Sequence, residues 1–247
     1  MLERVKGIII KTQAYGETHK IITIFSQKLG KFSAIARGAN KPKSKMAAVT
    51  QPYIYADFLV YVRSGLSTIQ QGEIIHSFRA IREDIIKASY AAYIMELTNK
   101  LMEQKSPHLF LFNQLFETMK RIETSEEIEI PVMMYELKLY QYSGFAPIVD
   151  RCVFCGRRDS LCSFSIREGG LLCDECVKHD QQAISLPKNI VKLLHIFLKI
   201  KLQRIRNISI QQSNKNLLRQ ILNEYYDTYG GYFIKSRNVL RQLDLLQ

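Results

Sequence analysis

The sequence lacks any long uncharged hydrophobic run. None approaches the roughly 20 residues that a transmembrane helix needs, and charged residues interrupt the opening MLERVKGIII, which is not the pattern of a signal peptide. Acidic residues are also few, since 23 Asp and Glu face 35 Lys and Arg for a formal net charge of +12. We therefore expect a soluble intracellular protein that binds a polyanion, either nucleic acid or an anionic membrane surface.

The motifs of several enzyme classes are missing as well. The sequence contains no P-loop, dinucleotide-binding, nucleophile-elbow or HExxH motif. The zinc-deaminase pattern fails because Arg151 and Leu172, in place of proline, precede the paired cysteines. A two-metal nuclease needs clustered carboxylates, but the first 80 residues hold only four acidic residues. We predict a binding protein and not an enzyme.

The positive charge is concentrated at the two ends of the chain. Residues 1–80 hold 12 basic and 4 acidic groups, residues 81–150 hold 7 and 11, residues 151–185 hold 5 and 5, and residues 186–247 hold 11 and 3. Segregated charge favours a surface that follows phosphates, although two solvated basic surfaces are the alternative. We take these blocks as a barrel domain (1–80) and a helical domain in two parts (81–150 and 186–247) around an insert (151–185).

The first block has the pattern of a small β-barrel. Five short runs are rich in β-branched and aromatic residues and are separated by turn residues: Val5–Thr12, Lys20–Ser26, Lys31–Arg37, Tyr53–Val62 and Ser67–Ile75. Five strands in this length predict an OB-fold, and an SH3-like barrel fits the strand count nearly as well. Alternation in the third run places Lys31 and Arg37 on a wet, basic face, and Gly72 is a candidate bulge.

The segment Arg37–Lys45 is the densest basic stretch of the sequence. Its cations stand among Gly, Asn, Pro and Ser, which predicts an exposed loop able to wrap phosphates. Three nearby tyrosines, Tyr53, Tyr55 and Tyr61, either stack on bases or pack within the barrel. The predicted DNA-binding residues are Lys20, Lys31, Arg37, Lys41, Lys43 and Lys45.

The second and fourth blocks have helical periodicity. Apolar residues recur at three- and four-residue steps from Ile81, and Ser106-Pro107 has the pattern of an N-cap followed by a first helical residue. Further helices are expected over 131–144, 188–198 and 214–229, and a last one runs to Leu246. The fold class is therefore α+β, with an N-terminal five-stranded OB-fold barrel followed by an α-helical domain that carries the insert.

Four cysteines in the insert give the strongest chemical signal. Cys152, Cys155, Cys173 and Cys176 form Cys-x2-Cys-x17-Cys-x2-Cys, the spacing of a closed, tetrahedral structural zinc site. We predict one structural zinc ion (Zn2+) per chain. Two disulfides conflict with an intracellular protein, and the spacing differs from the compact ferredoxin patterns of iron–sulfur proteins. Cys162 is expected to be a non-ligand.

Short segments spread along the whole chain match those of one known protein family. They are, in order, Tyr15-Gly16-Glu17, Lys20–Phe25, Gly30–Ala34, Ala36–Ala39, Pro42–Ser44, Gln51-Pro52, Arg82–Asp84, Gly144–Pro147, Cys152 to Gly156, Phe164-Ser165, Glu168–Gly170 and Lys235–Arg237. In these segments the sequence resembles the RecO family of bacterial recombination mediators. His19 departs from the acidic or other polar residue expected there. This resemblance implies an OB-fold, a helical domain and an inserted zinc module.

The resemblance also implies a non-catalytic role in DNA repair. Members bind single- and double-stranded DNA, anneal complementary strands and work with RecR to load RecA onto DNA covered by single-stranded-DNA-binding protein. A basic edge of the C-terminal helices suits the acidic, apolar-ended tail of that last protein. The expected location is the bacterial cytoplasm, at the nucleoid and not at a membrane. The alternative is an RNA-directed binding module of transcription or translation, since OB-folds and zinc ribbons occur there too.

Overall fold

The computed structural model describes residues 1–205 and 210–244. The strands are β1 Leu2–Tyr15, β2 His19–Ser26, β3 Gly30–Ala36, β4 Tyr55–Tyr61, β5 Ser67–His76, β6 Leu161–Ser165, β7 Gly170–Cys173 and β8 Ile184–Ser185. The α-helices are α1 Lys45–Val49, α2 Arg79–Glu83, α3 Ile85–Leu101, α4 Leu109–Thr124, α5 Glu129–Tyr142, α6 Lys188–Lys199, α7 Gln212–Tyr229 and α8 Lys235–Asp244. None of these helices is long and apolar enough to cross a membrane.

These elements divide into two compact units. The first holds Met1–Ile128 and the described residues from Ile234 onward, and the second holds Glu129–Phe233. The four sequence segments proposed above as domains stay a prediction. Leu246, the predicted end of the last helix, lies outside the described residues.

The first five strands close into a barrel in the order β1-β2-β3-β5-β4. Neighbours pair antiparallel except β3 and β5, which are parallel, and β1 closes the barrel against β4. This strand order is that of the OB-fold and decides against the SH3-like alternative. The predicted fold class is therefore confirmed. Alternate residues fill the barrel interior, among them Ile22, Ile24, Ala34 and Phe58.

Gly72 is paired with Phe58 and is not a bulge, so that prediction is wrong. The register shifts of β5 lie on either side of it, between the partners of Leu59 and Val60 and between those of Tyr55 and Ala56. Glycine is needed there because α1 packs closely on the strand. A Cβ atom at Gly72 would lie 2.6 Å from Cγ2 of Val49.

Helix α3 packs against β1 and against α8. The carboxylate of Glu96 on α3 accepts hydrogen bonds from the backbone N–H groups of Lys235 and Ser236, at 3.2 and 2.9 Å. It also accepts one from the Ser236 hydroxyl at 2.6 Å. Because the first N–H groups of a helix have no partner within it, Glu96 caps α8 and holds it on α3.

Helix α4 begins at Leu109, two residues after the predicted Pro107. The N-cap is His108, whose Nδ1 accepts a hydrogen bond from the backbone N–H of Leu111 at 3.2 Å. The residues before it pair with β3, since the backbone N–H of Lys105 donates to the carbonyl of Lys31 at 2.8 Å. Pairing with β3 therefore delays the start of the helix.

In the second unit, α5 is buried along nearly its whole length. It carries two buried charged residues, Glu136 and Lys138, which are 1% and 2% exposed. Glu136 pairs with Arg219 of α7 at 2.6 Å. The Lys138 ammonium donates to the carbonyls of Phe197 and Leu198 at 2.9 and 2.8 Å, where α6 ends. Burial, with a smaller contribution from Lys199, lowers the pKa of Lys138 to about 8.

Candidate nucleic-acid interface and candidate metal centre

The outer face of β1, β2 and β3 is open at the end where the chain turns from β1 into β2. Tyr15 lies directly opposite His19. The β2–β3 register pairs Lys20 with Ala36, so His19 and Arg37 are the next neighbours across those strands. The side chain of Tyr15 is exposed, and Arg37 is exposed as well. An aromatic ring, an imidazole and a guanidinium therefore form one row across this end of the barrel.

Hydrogen bonds hold the start of the basic segment Arg37–Lys45 against this row. The backbone N–H of Gly38 donates to Nδ1 of His19 at 3.0 Å, and the side-chain amide of Asn40 donates to the carbonyl of His19 at 3.1 Å. The backbone N–H of Asn40 donates to the carbonyl of Thr18 at 2.9 Å. Ala39 is buried. His19 therefore positions the start of the basic segment by accepting one hydrogen bond from it with its ring and another with its carbonyl.

The cations of this segment point to solvent, as predicted. Arg37, Lys41, Lys43 and Lys45 are all exposed, and no carboxylate within the described residues forms an ion pair with them. Ser44 caps α1 by accepting from the N–H of Met46 at 3.2 Å, so Lys45 stands on the first turn of a helix. Unpaired cations held on a fixed backbone suit contact with phosphates.

The four cysteines of the insert form one cluster in the second unit. The Sγ atoms of Cys152, Cys155, Cys173 and Cys176 all lie within 4.8 Å of one another, and those of Cys155 and Cys173 are 3.6 Å apart. A tetrahedron of thiolates with Zn–S bonds of about 2.3 Å has edges of about 3.8 Å. The donor set and its spacing therefore fit one tetrahedral zinc ion.

Each cysteine pair stands on a tight turn. Gly156 donates its N–H to the carbonyl of Cys152 at 3.0 Å, and Cys176 donates to the carbonyl of Cys173 at 3.1 Å. Gly156 has a φ of +75°, which glycine adopts without strain. Between the pairs, β6 and β7 form an antiparallel hairpin whose turn contains Gly169. The cluster is thus built from two tight cysteine turns with a short hairpin between them.

Comparison with known proteins covers the whole chain. The model of the family described as "Recombination protein O N terminal" matches residues 1–78, and that of "Recombination protein O C terminal" matches residues 82–238. A protein of Oceanobacillus iheyensis named DNA repair protein RecO is 56% identical over 244 residues, which are 99% of this chain and 95% of the relative. The chain belongs to the RecO family. Proteins of the same name from Bacillus cereus and Bacillus anthracis are 43% identical over the full length of both chains.

Lys31 does not belong to the exposed face on which the sequence pattern placed it. This residue is 6% exposed, and its ammonium donates to the carbonyl of Asn99 on α3 at 2.5 Å. Burial, and secondarily the charge of Lys100, lowers its pKa. Lys20 is half-buried and has the parity of the interior residues, since it lies opposite Ala36. Lys20 therefore lies at the end of the RecO barrel, whereas Lys31 is not part of the candidate surface.

Tyr15 is the residue of this surface that the sequence did not single out. Of the three tyrosines considered, Tyr55 packs against Phe116 at a centroid distance of 5.0 Å, and the Tyr53 hydroxyl donates to the carbonyl of Ala88. Tyr61 is exposed under the guanidinium of Arg63. The signal for Tyr15 was its place at the end of a strand, just before the turn at Gly16.

The surroundings of Cys152 favour its thiolate form. Burial raises its pKa, but hydrogen bonds from the backbone N–H groups of Cys155, Cys173 and Phe154 outweigh that effect and lower the pKa to about 6. Burial and the neighbouring thiols raise the pKa of Cys176 to about 12. Backbone amides thus favour a thiolate at one corner of the RecO cysteine cluster, and a bound cation would favour thiolates at all four.

Disulfide bonds, one of the alternatives for the cysteines, do not fit this geometry. All five cysteines are free, and the 3.6 Å between Cys155 and Cys173 far exceeds the roughly 2.05 Å of a disulfide bond. Cys162 lies outside the cluster, on β6, as predicted. His179 stacks on Phe154 at a centroid distance of 4.9 Å and is not part of the cluster either.

Proposed function

We propose that this chain is a recombination mediator in DNA repair. It binds single- and double-stranded DNA, anneals complementary strands and acts without catalysing bond cleavage or formation. The observation that carries this proposal is the open end of the barrel, where Tyr15 and Arg37 share a row with His19 and the basic segment follows directly. The names of the relatives support the DNA-repair context.

The geometry accounts for annealing without chemistry. Cations that neutralise phosphates release counterions and reduce the repulsion between two strands, and base pairing then supplies the free energy. An aromatic side chain beside the cations stacks on a base with no sequence preference. The four cysteines hold one structural zinc ion, which fixes the fold of the insert and leaves no coordination position for substrate.

The partners follow from the family. With RecR, the protein helps to load RecA onto DNA covered by single-stranded-DNA-binding protein, and the acidic tail of that protein binds the C-terminal helices. DNA as the ligand places the protein at the nucleoid in the bacterial cytoplasm. Residues 1–80 are the proposed DNA-binding domain, and residues 151–185 are the proposed zinc-binding insert of the helical domain.

The decisive experiment measures annealing of two complementary oligonucleotides, bare and covered with single-stranded-DNA-binding protein. We expect the chain to accelerate annealing in both states. A competition between single-stranded DNA and RNA of one sequence tests the alternative, since an RNA-directed module would prefer RNA and leave the annealing rate unchanged. That outcome would refute the proposal.

Tyr15→Ala is expected to lower the affinity for single-stranded DNA by about tenfold, because base–aromatic stacking contributes about 1–3 kcal/mol per base. Affinity for duplex DNA should change little, since its bases are already stacked. Tyr15→Phe keeps the ring and should bind as the unchanged protein does. Fluorescence anisotropy of labelled oligonucleotides measures these affinities. Tyr61→Ala is the matched control, because Tyr61 is similarly exposed and its ring is contacted by Arg63.

A further inference from the structure

Helix α6 presents a row of basic side chains that the proposed barrel site does not use. Lys188, Lys192, His195 and Lys199 recur at steps of four, three and four residues, which places them on one side of the helix. All four are exposed, while Ile190, Leu194, Phe197 and Leu198 are buried on the other side. The row is about 16 Å long, from a rise of 1.5 Å per residue.

The basic row meets no counter-charge on its own helix. Helix α6 contains no acidic residue, and within residues 1–205 and 210–244 no carboxylate forms an ion pair with its three lysines. The helix is also fixed in place, because the Lys138 ammonium holds the last carbonyls of α6. The lysines therefore form a positively charged surface on a firmly placed backbone.

The cysteine-bearing insert extends this surface. A cleft of about 560 Å³ lies between the insert and the start of α6, and Arg158, Ser160, Asp174, Lys188 and Lys192 are among its lining residues. Arg158 is exposed. Arg157, by contrast, is paired with Asp159 and with Glu175. Three cations thus line one cleft, against the single carboxylate of Asp174.

We propose that α6 and Arg158 form a second nucleic-acid surface, which binds the phosphates of a DNA strand independently of the barrel. This inference rests on the proposed annealing function and adds to it a separate site for the second strand. The cysteine cluster gains a role as well, because it fixes the backbone that carries Arg158 and Ser160 beside Lys188.

The extent of the surface favours DNA over an acidic peptide. The end of a short peptide would occupy the cleft, which involves only the first two lysines of the row. His195 and Lys199 continue the row for two more helical turns beyond it. A repeating polyanion such as a DNA backbone matches a repeating line of cations, and each neutralised phosphate of a single strand contributes a slope of about −0.7 to log K against log salt.

The test measures how many DNA strands the full-length, metal-loaded protein binds, with a thymidine oligonucleotide about ten nucleotides long. Native mass spectrometry at low salt should find two oligonucleotides per chain. The variant Lys188→Ala/Lys192→Ala/Lys199→Ala should keep one, with second-strand affinity reduced about 100-fold at 0.1 M salt, and should anneal slowly. Arg151→Ala/Arg167→Ala/Lys178→Ala loses the same charge from exposed positions of the same unit and should still bind two.

The outcomes separate this inference from the proposed function. If the α6 variant binds two strands with the salt dependence of the control, the second surface does not exist, whatever the barrel does. If the chain binds no strand at all, the proposed function fails as well. If the α6 variant keeps both strands but no longer binds an acidic peptide with an apolar end, the row is a peptide site and the inference is wrong.

Discussion

Replacing Cys152 and Cys155 with serine is expected to unfold the insert, and the bound zinc should be lost with it. The apolar cluster inside the insert is very small. It has four buried members, the three cysteines Cys152, Cys173 and Cys176 and one leucine, Leu172. So small a core does not stabilise a fold. Binding of structural zinc to comparable peptides contributes about 10–16 kcal/mol, which exceeds the stability of many whole domains.

The measurement combines elemental analysis with thermal unfolding. Freshly purified protein should contain about one zinc per chain, and a chelator should lower its melting temperature to that of the double variant. Cys162→Ser is the matched control, since this thiol lies outside the cluster, and it should leave both zinc content and melting temperature unchanged. Purified protein with no metal and an unaltered melting temperature in the double variant would contradict a structural zinc site.

An iron–sulfur cluster would give a different result in the same preparation. The purified protein would then be brown, absorb in the visible range and contain iron and labile sulfide. Such a result would show that the cysteines hold an iron–sulfur cluster and not zinc. Zinc–thiolate sites have no such absorption, because Zn2+ has a filled d shell. The Cys155–Cys173 distance of 3.6 Å matches the edge of a tetrahedron around a single ion, which is the reason to expect zinc.

The barrel strands were predictable because period-two alternation reports which face of each strand is buried. The predicted Lys20–Ser26 and the observed His19–Ser26 differ by one residue. The cysteine cluster was predictable for another reason, since its ligands lie in two local pairs whose spacing is itself the geometric requirement. In both cases the information is local in the sequence.

The errors arose where distant segments meet. Alternation places Lys31 on the outer face of β3, but its side chain is buried there. The carbonyl of Asn99 on α3, nearly 70 residues later in the sequence, accepts a hydrogen bond from its ammonium. A glycine inside a strand often marks a bulge, but Gly72 is instead needed because α1 packs closely against it. The N-cap at Ser106 failed because that stretch pairs with β3. Only the tertiary contacts supply these facts.

Changing Arg37, Lys41, Lys43 and Lys45 together to alanine is expected to weaken binding of single-stranded DNA at the barrel by about a thousandfold at 0.1 M salt. Four lost phosphate contacts, each contributing about −0.7 to the slope of log K against log salt, reduce that slope by about three. The slope for duplex DNA should fall by about four, since each duplex contact contributes about −0.9. The α6 variant described above provides the background on which barrel binding is measured alone.

Two controls separate this loss from a general effect of charge or folding. Arg4→Ala/Lys6→Ala/Lys28→Ala/Arg79→Ala removes four other exposed cations from the same unit and should leave the slope nearly unchanged. Lys31→Met removes the buried ammonium that donates to Asn99, so it should lower the melting temperature without changing the slope. If the quadruple loop variant kept the original slope, the basic segment would not be part of the DNA site. If Lys31→Met lowered the slope by a full phosphate contact, Lys31 would reach DNA despite its burial, and the hydrogen bond from its ammonium to the carbonyl of Asn99 would have to break when DNA binds.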